Sequence, residues 1–381
     1  MSRAREFADL AGSADAGGLT GRNLIINGAY QVYQRATSAT AAASSYETAD
    51  RWINFEATDG AYTTEQSTDH PLGSGYSHKA QVTTADTSIG AAQYSYIAQR
   101  IEAQNLQHLL YGTSSAKSLT LSFYVKSNKT GTYCITIYKT DSTAYLFTKE
   151  YTISSANTWE KKEITISPTA GSTSLITASA GAIANDNGLG IEVGFHLALG
   201  SNFTGGTSDS WSAGSNNHYG TTNQVNWMDS TSNNFYLTEV QLELGEKATP
   251  FEHRSFADEL HRCKRYFQKS FNYDTAPENG GASGISYNGG ILGYCGSNNN
   301  GALSGFHRFD PEMRATPSIT TYGNSSGHWG RLSPTNTGTT TFSAGSGYMN
   351  NVKASGINFG QNASGDTLLI GFGHITASAE L

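Results

Sequence analysis

Between Asn23 and Phe251, apolar and polar residues alternate along many short runs of the chain. The clearest runs are LTLSFYVKS, TYCITIY and LGIEVGFHLALG, in which every second residue is apolar. Because the side chains of a β-strand point alternately to its two faces, this period of two predicts half-buried strands. The turns between the runs are rich in Gly, Asn, Ser and Asp. Many such strands in one module predict a jelly-roll β-sandwich.

Two runs depart from simple alternation. In FYLTEVQLELG the apolar positions change parity between Leu237 and Val240, which predicts a β-bulge. The stretch AQRIEAQNLQHLLYG, residues 98–112, predicts a strand followed by a short helical turn.

One segment has the spacing of a helix. SFADELHRCKRYFQKS offers Ser255 as N-cap, acidic residues in the first turn and basic residues toward the end. We expect a helix over residues 256–271 that links two β-rich parts. Residues 272–381 contain short, Gly-interrupted apolar runs, such as GGILGYCG and TLLIGFGHITAS, and predict a second, smaller β-sandwich.

The first 21 residues differ from the rest. SRAREFADLAG can form about two helical turns before a Gly-rich stretch. One hypothesis is a docking peptide, whose candidate contact residues are Arg3, Arg5, Phe7 and Leu10. The alternative is a frayed terminus.

The composition narrows the functional class. The chain has 381 residues, of which 37% are hydrophobic and only 14% charged, with 42 Gly and a net charge of −7. This favours a β-rich protein with uncharged, hydroxyl-rich surfaces and no general attraction for nucleic acid. The N-terminus has no long apolar stretch, so we expect neither a signal peptide nor membrane insertion.

No recognised catalytic or metal-binding motif is present. Three cysteines lie far apart without a CxxC pair, which argues against a disulfide framework or a zinc site and suits a reducing cytosol. HExxH and Walker patterns are missing. We therefore expect no enzyme and no cofactor. Whether the protein binds a structural calcium ion stays open, but no loop has the ligand spacing that would locate such a site.

The polar stretch 208–230 contains four residues suited to binding a sugar: Trp211, His218, Tyr219 and Trp227. Aromatic rings can stack on the apolar face of a sugar while polar neighbours bond its hydroxyls. The same tryptophans could instead be structural plugs over the end of a core. Both interpretations stay open at this point.

Glu192 and His196 lie opposite the apolar residues of LGIEVGFHLALG, with Gly194 between them. They are candidates for an outward-facing, sugar-binding sheet surface. The alternative is that they are ordinary solvent-facing residues.

Three segments carry a resemblance to known proteins: NLIINGAYQVYQR, FYLTEVQLELGEKATPFEHR and the closing ITASAEL. They resemble virion proteins, specifically tail-fibre and adhesin-like proteins of marine and cyanobacterial phages with a central carbohydrate-binding-like jelly roll. The resemblance implies a non-enzymatic virion protein that is made in the host bacterial cytoplasm and binds host-surface glycan. It also implies a homotrimer in contact with other tail or capsid proteins.

The expected organisation is a virion-docking peptide at 1–21, a jelly roll at 22–254, a linking helix at 255–271 and a β-rich domain at 272–381. A capsid decoration or cement protein shares this composition and fold and is the main alternative. A glycan depolymerase is a third hypothesis, although such enzymes usually carry a long β-helix and no repeat is visible.

Overall fold

The computed structural model describes residues 21–278, 291–295, 302–322, 328–333, 336–343, 349–362 and 369–381. The chain is mainly β, and its paired strands are antiparallel, as the alternation predicts. It divides into two compact units. The first comprises Met1–Tyr33, Thr37–Phe256 and Leu381, and the second comprises Gln34–Ala36 and Ala257–Glu380. The predicted docking residues Arg3, Arg5, Phe7 and Leu10 lie outside the described residues.

The first unit is a β-sandwich of two sheets, with six strands each among the described residues. In spatial order, the first sheet contains β1 (Ser38–Thr40), β3 (Ala61–Ser67), β4 (Ser77–Thr84), β12 (Asn234–Leu244), β6 (Leu119–Ser127) and β9 (Glu160–Ile166). The second contains β11 (Ser210–Ala213), β8 (Tyr145–Ile153), β7 (Gly131–Lys139), β10 (Leu189–Leu199), β5 (Tyr94–Glu102) and β2 (Trp52–Glu56).

The apolar positions of the predicted alternation form the core between the two sheets. The first sheet contributes residues such as Leu121 and Phe123, and the second contributes residues such as Val193 and Phe195; all four are fully buried. The rings of Phe123 and Phe195 meet edge to face, with centroids 5.1 Å apart. Burial of a side chain of this size contributes about 2 kcal/mol, so this layer is the main source of stability.

The bulge in β12 is confirmed. The register between β12 and β6 shifts between Thr238 and Gln241, and Glu239 adopts a left-handed φ of 47°. The extra residue returns Val240 and Leu242 to the core after the change of parity. The predicted strand and helical turn over 98–112 are also present, as β5 and a 3-10 turn at Ala103–Leu109.

The two segments that frame the first unit in sequence bind each other in space. Asn23 Nδ2 donates to the carbonyl oxygen of Val240, and its Oδ1 accepts from the Leu242 amide. Glu252 accepts from the Asn23 amide at 2.8 Å, and Arg254 donates to the Ile25 carbonyl oxygen at 3.0 Å. These bonds satisfy backbone groups of an extended segment that runs outside the named strands.

A buried lysine closes one end of the sandwich. Lys139, at the end of β7, is fully buried, and its ammonium donates to the main-chain oxygens of Asp141, Thr143 and Ala180. Three carbonyl oxygens around one cation offset its desolvation and join the β7–β8 turn to the 167–188 segment.

The second unit begins with the predicted helix, which is shorter than expected. α1 spans Phe256–Lys264 and is followed by β13 (Phe267–Lys269), which pairs with β21 (Leu369–Ser378). The prediction of helix through residue 271 is therefore wrong. Strand pairing outweighs the helical spacing of RYFQK, because backbone hydrogen bonds to β21 are available there.

The described residues of this unit form one nine-stranded sheet around β21. Besides β13 and β21, its strands are β14 (Ile291–Cys295), β15 (Ala302–Arg308), β16 (Ser318–Tyr322), β17 (His328–Ser333), β18 (Asn336–Ser343), β19 (Met349–Lys353) and β20 (Gly356–Asn362). Residues 34–36 also belong to this unit. Arg35 lies 3.8 Å above the Phe267 ring and forms an ion pair with Glu380.

Candidate functional site

The two tryptophans of the 208–230 stretch are structural plugs. Trp211 lies on β11 and is only 2% exposed, and its indole nitrogen donates to the Ser167 carbonyl oxygen at 2.8 Å. Trp227 is fully buried in a 3-10 turn and donates to the Asn234 carbonyl oxygen at 3.1 Å. Neither ring can receive a ligand, so the interpretation of these residues as a sugar platform is wrong and the alternative interpretation holds.

Glu192 and His196 do lie on the outer face of the second sheet, but they are not exposed to solvent. Glu192 is 3% exposed and His196 is fully buried. The segment that follows β10 folds back over this face and covers it. The prediction that both side chains point to the outer face is therefore correct, but the prediction that they are accessible to a ligand is wrong.

Tyr219 is the residue that covers His196. Its ring lies 5.5 Å from the His196 ring and 5.9 Å from the Tyr96 ring, centroid to centroid. The Phe203 ring also packs against Tyr219, with ring centroids 6.3 Å apart. Together these residues form a second, aromatic packing layer on the outer face, which we call the tyrosine layer: Tyr96, His196, Phe203 and Tyr219.

The tyrosine layer is shielded from water, as a protein interior is, and this affects the ionisation of its histidine. Burial lowers the pKa of His196 to about 3, so the ring is neutral near pH 7. Its Nε2 pairs with the Thr136 hydroxyl at 3.0 Å. His218, at the edge of the segment, is half-buried and its Nδ1 lies 3.1 Å from the Ala213 carbonyl oxygen. The layer therefore holds the 200–225 segment in place.

Glu192 is neutralised by an ion pair. Arg100 Nε lies 2.7 Å from its carboxylate, and a second guanidinium nitrogen donates to the main-chain oxygen of Leu381, a residue of the same unit. Burial raises the pKa of Glu192 above its ordinary value, while the Arg100 guanidinium acts in the opposite direction. Both charges are thus engaged within the protein.

A different tryptophan has an accessible ring. Trp159 directly precedes β9 and is half-buried, whereas Trp52, Trp211 and Trp227 are buried. Since Val125 of β6 pairs with Glu160 of β9, Trp159 lies opposite Lys126 on the outer face of the first sheet. Tyr236 of β12 pairs with Lys126 from the other side.

Hydrogen bonds fix the orientation of the Trp159 ring. Its Nε1 donates to Asp69 Oδ1 at 2.9 Å, and the other Asp69 oxygen forms an ion pair with Lys126. The Lys126 ammonium lies 4.3 Å from the centre of the Tyr236 ring and 5.1 Å from that of Trp159. The two rings meet at 68°, with centroids 6.0 Å apart. We call Asp69, Lys126, Trp159 and Tyr236 the Trp159 platform.

The carboxylate of the platform is ionised and partly open to solvent. The Asp69 side chain is 45% exposed. Partial burial raises its pKa, but hydrogen bonds from Lys126 and Trp159 outweigh burial and leave the pKa below its ordinary value. A partly exposed ring beside a fixed carboxylate and an ammonium can stack on an apolar surface, while the charged groups bond hydroxyl groups at its edge.

The loop that carries Asp69 adds exposed apolar groups beside the platform. Leu72 and Tyr76 are both exposed. The Ser77 hydroxyl donates to the Asp69 carbonyl oxygen at 2.6 Å, and Thr238 of β12 donates to the Tyr76 carbonyl oxygen at 2.7 Å. These bonds hold the ends of a Gly-rich loop against β12, next to Tyr236.

Sequence reasoning missed all four platform residues. A signal was available, because Trp159 has the parity opposite to that of Ile164 and Ile166, which are buried on β9. Counting back from these residues places Trp159 on the outer face, together with Lys161 and Glu163. The contact between Trp159 and Asp69 depends on the order of strands in the sheet, so the pattern of neighbouring residues in the sequence could not predict it.

Within the described ranges, no group of three or more His, Cys, Asp and Glu side chains is arranged to hold a metal ion. None of the helices among the described residues has the length and apolar character needed to cross a bilayer.

No protein-family model and no curated protein sequence matches the chain. Solved structures give weak matches. A candidate sugar-binding protein from Bacteroides thetaiotaomicron is 14% identical, with 59% of this chain and 100% of that chain covered and a TM-score of 0.32. The enzymatically active domain of tailspike protein 4 from bacteriophage CBA120 is 13% identical, with 58% and 21% covered and a TM-score of 0.29.

The family 11 carbohydrate-binding module of a Clostridium thermocellum cellulosomal cellulase is 14% identical to this chain. The match covers 56% of this chain and 98% of that module, with a TM-score of 0.27. At these identities and TM-scores, the function of none of the three proteins transfers to this chain.

Proposed function

We propose that the protein is a non-enzymatic virion protein of a bacteriophage, a tail fibre or similar appendage, that binds a glycan of the host surface through the Trp159 platform. One observation carries the binding part of this proposal. The partly exposed Trp159 donates its indole N–H to a carboxylate and lies beside a second aromatic ring.

The chemistry of the platform suits a sugar. The C–H face of a pyranose stacks on an aromatic ring, and a ring that is already fixed loses little side-chain entropy on binding. Sugar hydroxyls are both donors and acceptors, and the Asp69–Lys126 pair offers both partners in one place. A purely apolar partner would remove water from this ion pair without forming new hydrogen bonds to offset the cost of desolvation.

The virion part of the proposal rests on the sequence. The segments that resemble phage fibre proteins include both ends of the first unit, where Asn23 and Arg254 take part in the same hydrogen-bonded junction. The non-enzymatic part of the proposal is supported by the sequence, in which no HExxH or Walker motif occurs. In this proposal residues 1–21 dock the protein to other tail or capsid proteins, and the assembled appendage is a homotrimer.

Competition with phage adsorption tests the glycan-binding role. Purified wild-type protein should block adsorption of the phage to its host, and Trp159→Ala should block roughly fivefold less well, since one aromatic contact contributes about 1 kcal/mol. Tyr273→Ala, which removes an exposed tyrosine of the second unit, is the matched control and should block like wild type.

Three results would contradict the proposal. Equal blocking by wild type and Trp159→Ala would show that the Trp159 platform does not bind the glycan. Gold labelling of intact particles that decorates the head at many copies and spares the tail would favour the capsid decoration or cement alternative. Release of reducing sugar from host envelope polysaccharide would favour a depolymerase.

A further inference from the structure

The Trp159 platform is one end of a longer row of side chains that runs across the first sheet. Tyr236 pairs with Lys126 on one side and with Lys79 on the other, and Lys79 pairs with Glu65. Ser38 of the edge strand pairs with Glu65 and continues the row. We call Glu65, Lys79, Tyr236, Lys126 and Trp159 the cross-strand row.

The geometry of the row is set by the sheet. Neighbouring strands lie about 4.8 Å apart, so five strands carry the row over roughly 19 Å. Its members share one face of the sheet because directly paired residues point to the same side. Lys126 is the most buried of the five, and the other four are partly exposed. The result is a row of side chains across the strands, of which all but Lys126 are partly exposed.

The charges along the row cancel locally. Lys79 pairs with Glu65 at 2.7 Å, and Lys126 pairs with Asp69. On the same face of the adjoining strand β9, Lys161 pairs with Glu163. Each of these three ammonium groups thus has a carboxylate beside it, and the protein as a whole carries a net charge of −7. A polyanionic ligand would find no uncompensated positive charge here.

We infer that the cross-strand row is a binding track for an uncharged polysaccharide chain that lies across the strands, with the interior of the chain, not a single terminal sugar, as the ligand. This inference rests on the proposed glycan-binding function and specifies its substrate class. Trp159 and Tyr236 supply the stacking surfaces at one end, and the Lys79–Glu65 pair supplies donors and acceptors for hydroxyl groups at the other.

Binding to a glycan array tests the inference. The array should hold neutral and acidic bacterial polysaccharides, and the strongest ligand should then be cut and fractionated into fragments of rising length. We expect the strongest signals from neutral chains, with affinity that rises as fragments extend along the row. Affinity should be nearly unchanged between low and high sodium chloride, because no net charge is neutralised on binding.

A double variant at the far end, Glu65→Gln with Lys79→Met, separates the track from the platform. It removes one ion pair without changing the net charge, and its surface location leaves the fold intact, which a melting curve should confirm. Affinity for long fragments should fall roughly tenfold, which corresponds to the loss of hydrogen bonds to charged groups. Affinity for one- and two-sugar fragments should be unchanged.

The possible failures are distinct. If the double variant binds long fragments like wild type while Trp159→Ala does not, the ligand is a terminal sugar and the track is wrong, although the proposed function stands. If acidic glycans bind best and sodium chloride weakens their binding, the assignment of an uncharged polysaccharide as ligand is wrong. If wild type binds no glycan on the array, or Trp159→Ala binds like wild type, the proposed function fails together with the track.

Discussion

Trp159 and Asp69 lie 90 residues apart in the sequence and are joined by a hydrogen bond of 2.9 Å from the indole nitrogen to the carboxylate. The same carboxylate also pairs with Lys126, which approaches both aromatic rings of the platform. Asp69 thus positions the Trp159 ring and the Lys126 ammonium at once.

Replacing Asp69 should therefore weaken binding without unfolding the protein. Asp69→Ala frees the Trp159 ring to rotate and leaves Lys126 without its carboxylate, so we expect roughly fivefold to tenfold weaker glycan binding. Because Asp69 is partly exposed, the melting temperature should change by only a few degrees. Binding isotherms and melting curves on the same preparation check both parts. Wild-type affinity in Asp69→Ala would show that orientation of the ring is unimportant.

The buried tryptophans should behave in the opposite way. Trp211→Ala and Trp227→Ala each leave a large cavity and remove the hydrogen bond of the indole nitrogen, so we expect losses of roughly 3–5 kcal/mol in the free energy of unfolding. Glycan affinity per folded molecule should not change. Urea unfolding of these variants beside Trp159→Ala makes the comparison, and a Trp211→Ala variant that is stable but deficient in binding would restore that residue as a ligand contact.

Lys139 should be important for stability although it is charged. Lys139→Met keeps the approximate volume but leaves the three carbonyl oxygens that accept from the ammonium without that donor. We expect a loss of roughly 3 kcal/mol. Lys149→Met, at a partly exposed position on the neighbouring strand, is the control and should cost little. Equal stability of the two variants would mean that water replaces the ammonium at no cost.

Acid should destabilise the first unit through its buried histidines. Burial lowers the pKa of both His78 and His196 to about 3, from an ordinary value of 6.5. Between these pH values the unfolded chain binds protons that the folded chain does not, so the free energy of unfolding falls as the pH falls. Each histidine contributes a slope of about 1.4 kcal/mol per pH unit.

The contribution of one histidine can be isolated with a variant. Glu192 has a raised pKa and acts in the opposite direction, but it is present in both proteins when wild type is compared with His196→Gln. The slope of unfolding free energy against pH between pH 6 and pH 4 should be smaller in the variant by about 1.4 kcal/mol per unit. Identical slopes would show that His196 is protonated in the folded state.

The sandwich core was predictable because its signal is local. Alternation along LTLSFYVKS and LGIEVGFHLALG placed Phe123 and Phe195 in the core, and the change of parity in FYLTEVQLELG located the bulge at Glu239. Side-chain direction in a strand depends only on parity, so neighbouring residues suffice to determine it.

The site was not predictable in the same way, because it depends on which strands become neighbours. Parity put Glu192 and His196 on the outer face correctly, but the segment around Tyr219 covers them from a distance in sequence. No strand is expected in the polar stretch 208–230, yet Ser210–Ala213 forms the edge strand β11 and places Trp211 in the core. The helix prediction failed at Phe267 because β21, over a hundred residues later, pairs with it.

The most direct test of the central claim observes the Trp159 ring itself while a glycan binds. In a spectrum of the indole N–H groups, each of the five tryptophans gives a signal, and the Trp159→Phe variant identifies that of Trp159. Titration with polysaccharide from a susceptible host should shift the Trp159 signal in a saturable way and leave the signals of the buried Trp52, Trp211 and Trp227 nearly unchanged. Saturable binding of the polysaccharide with an unmoved Trp159 signal would contradict the account.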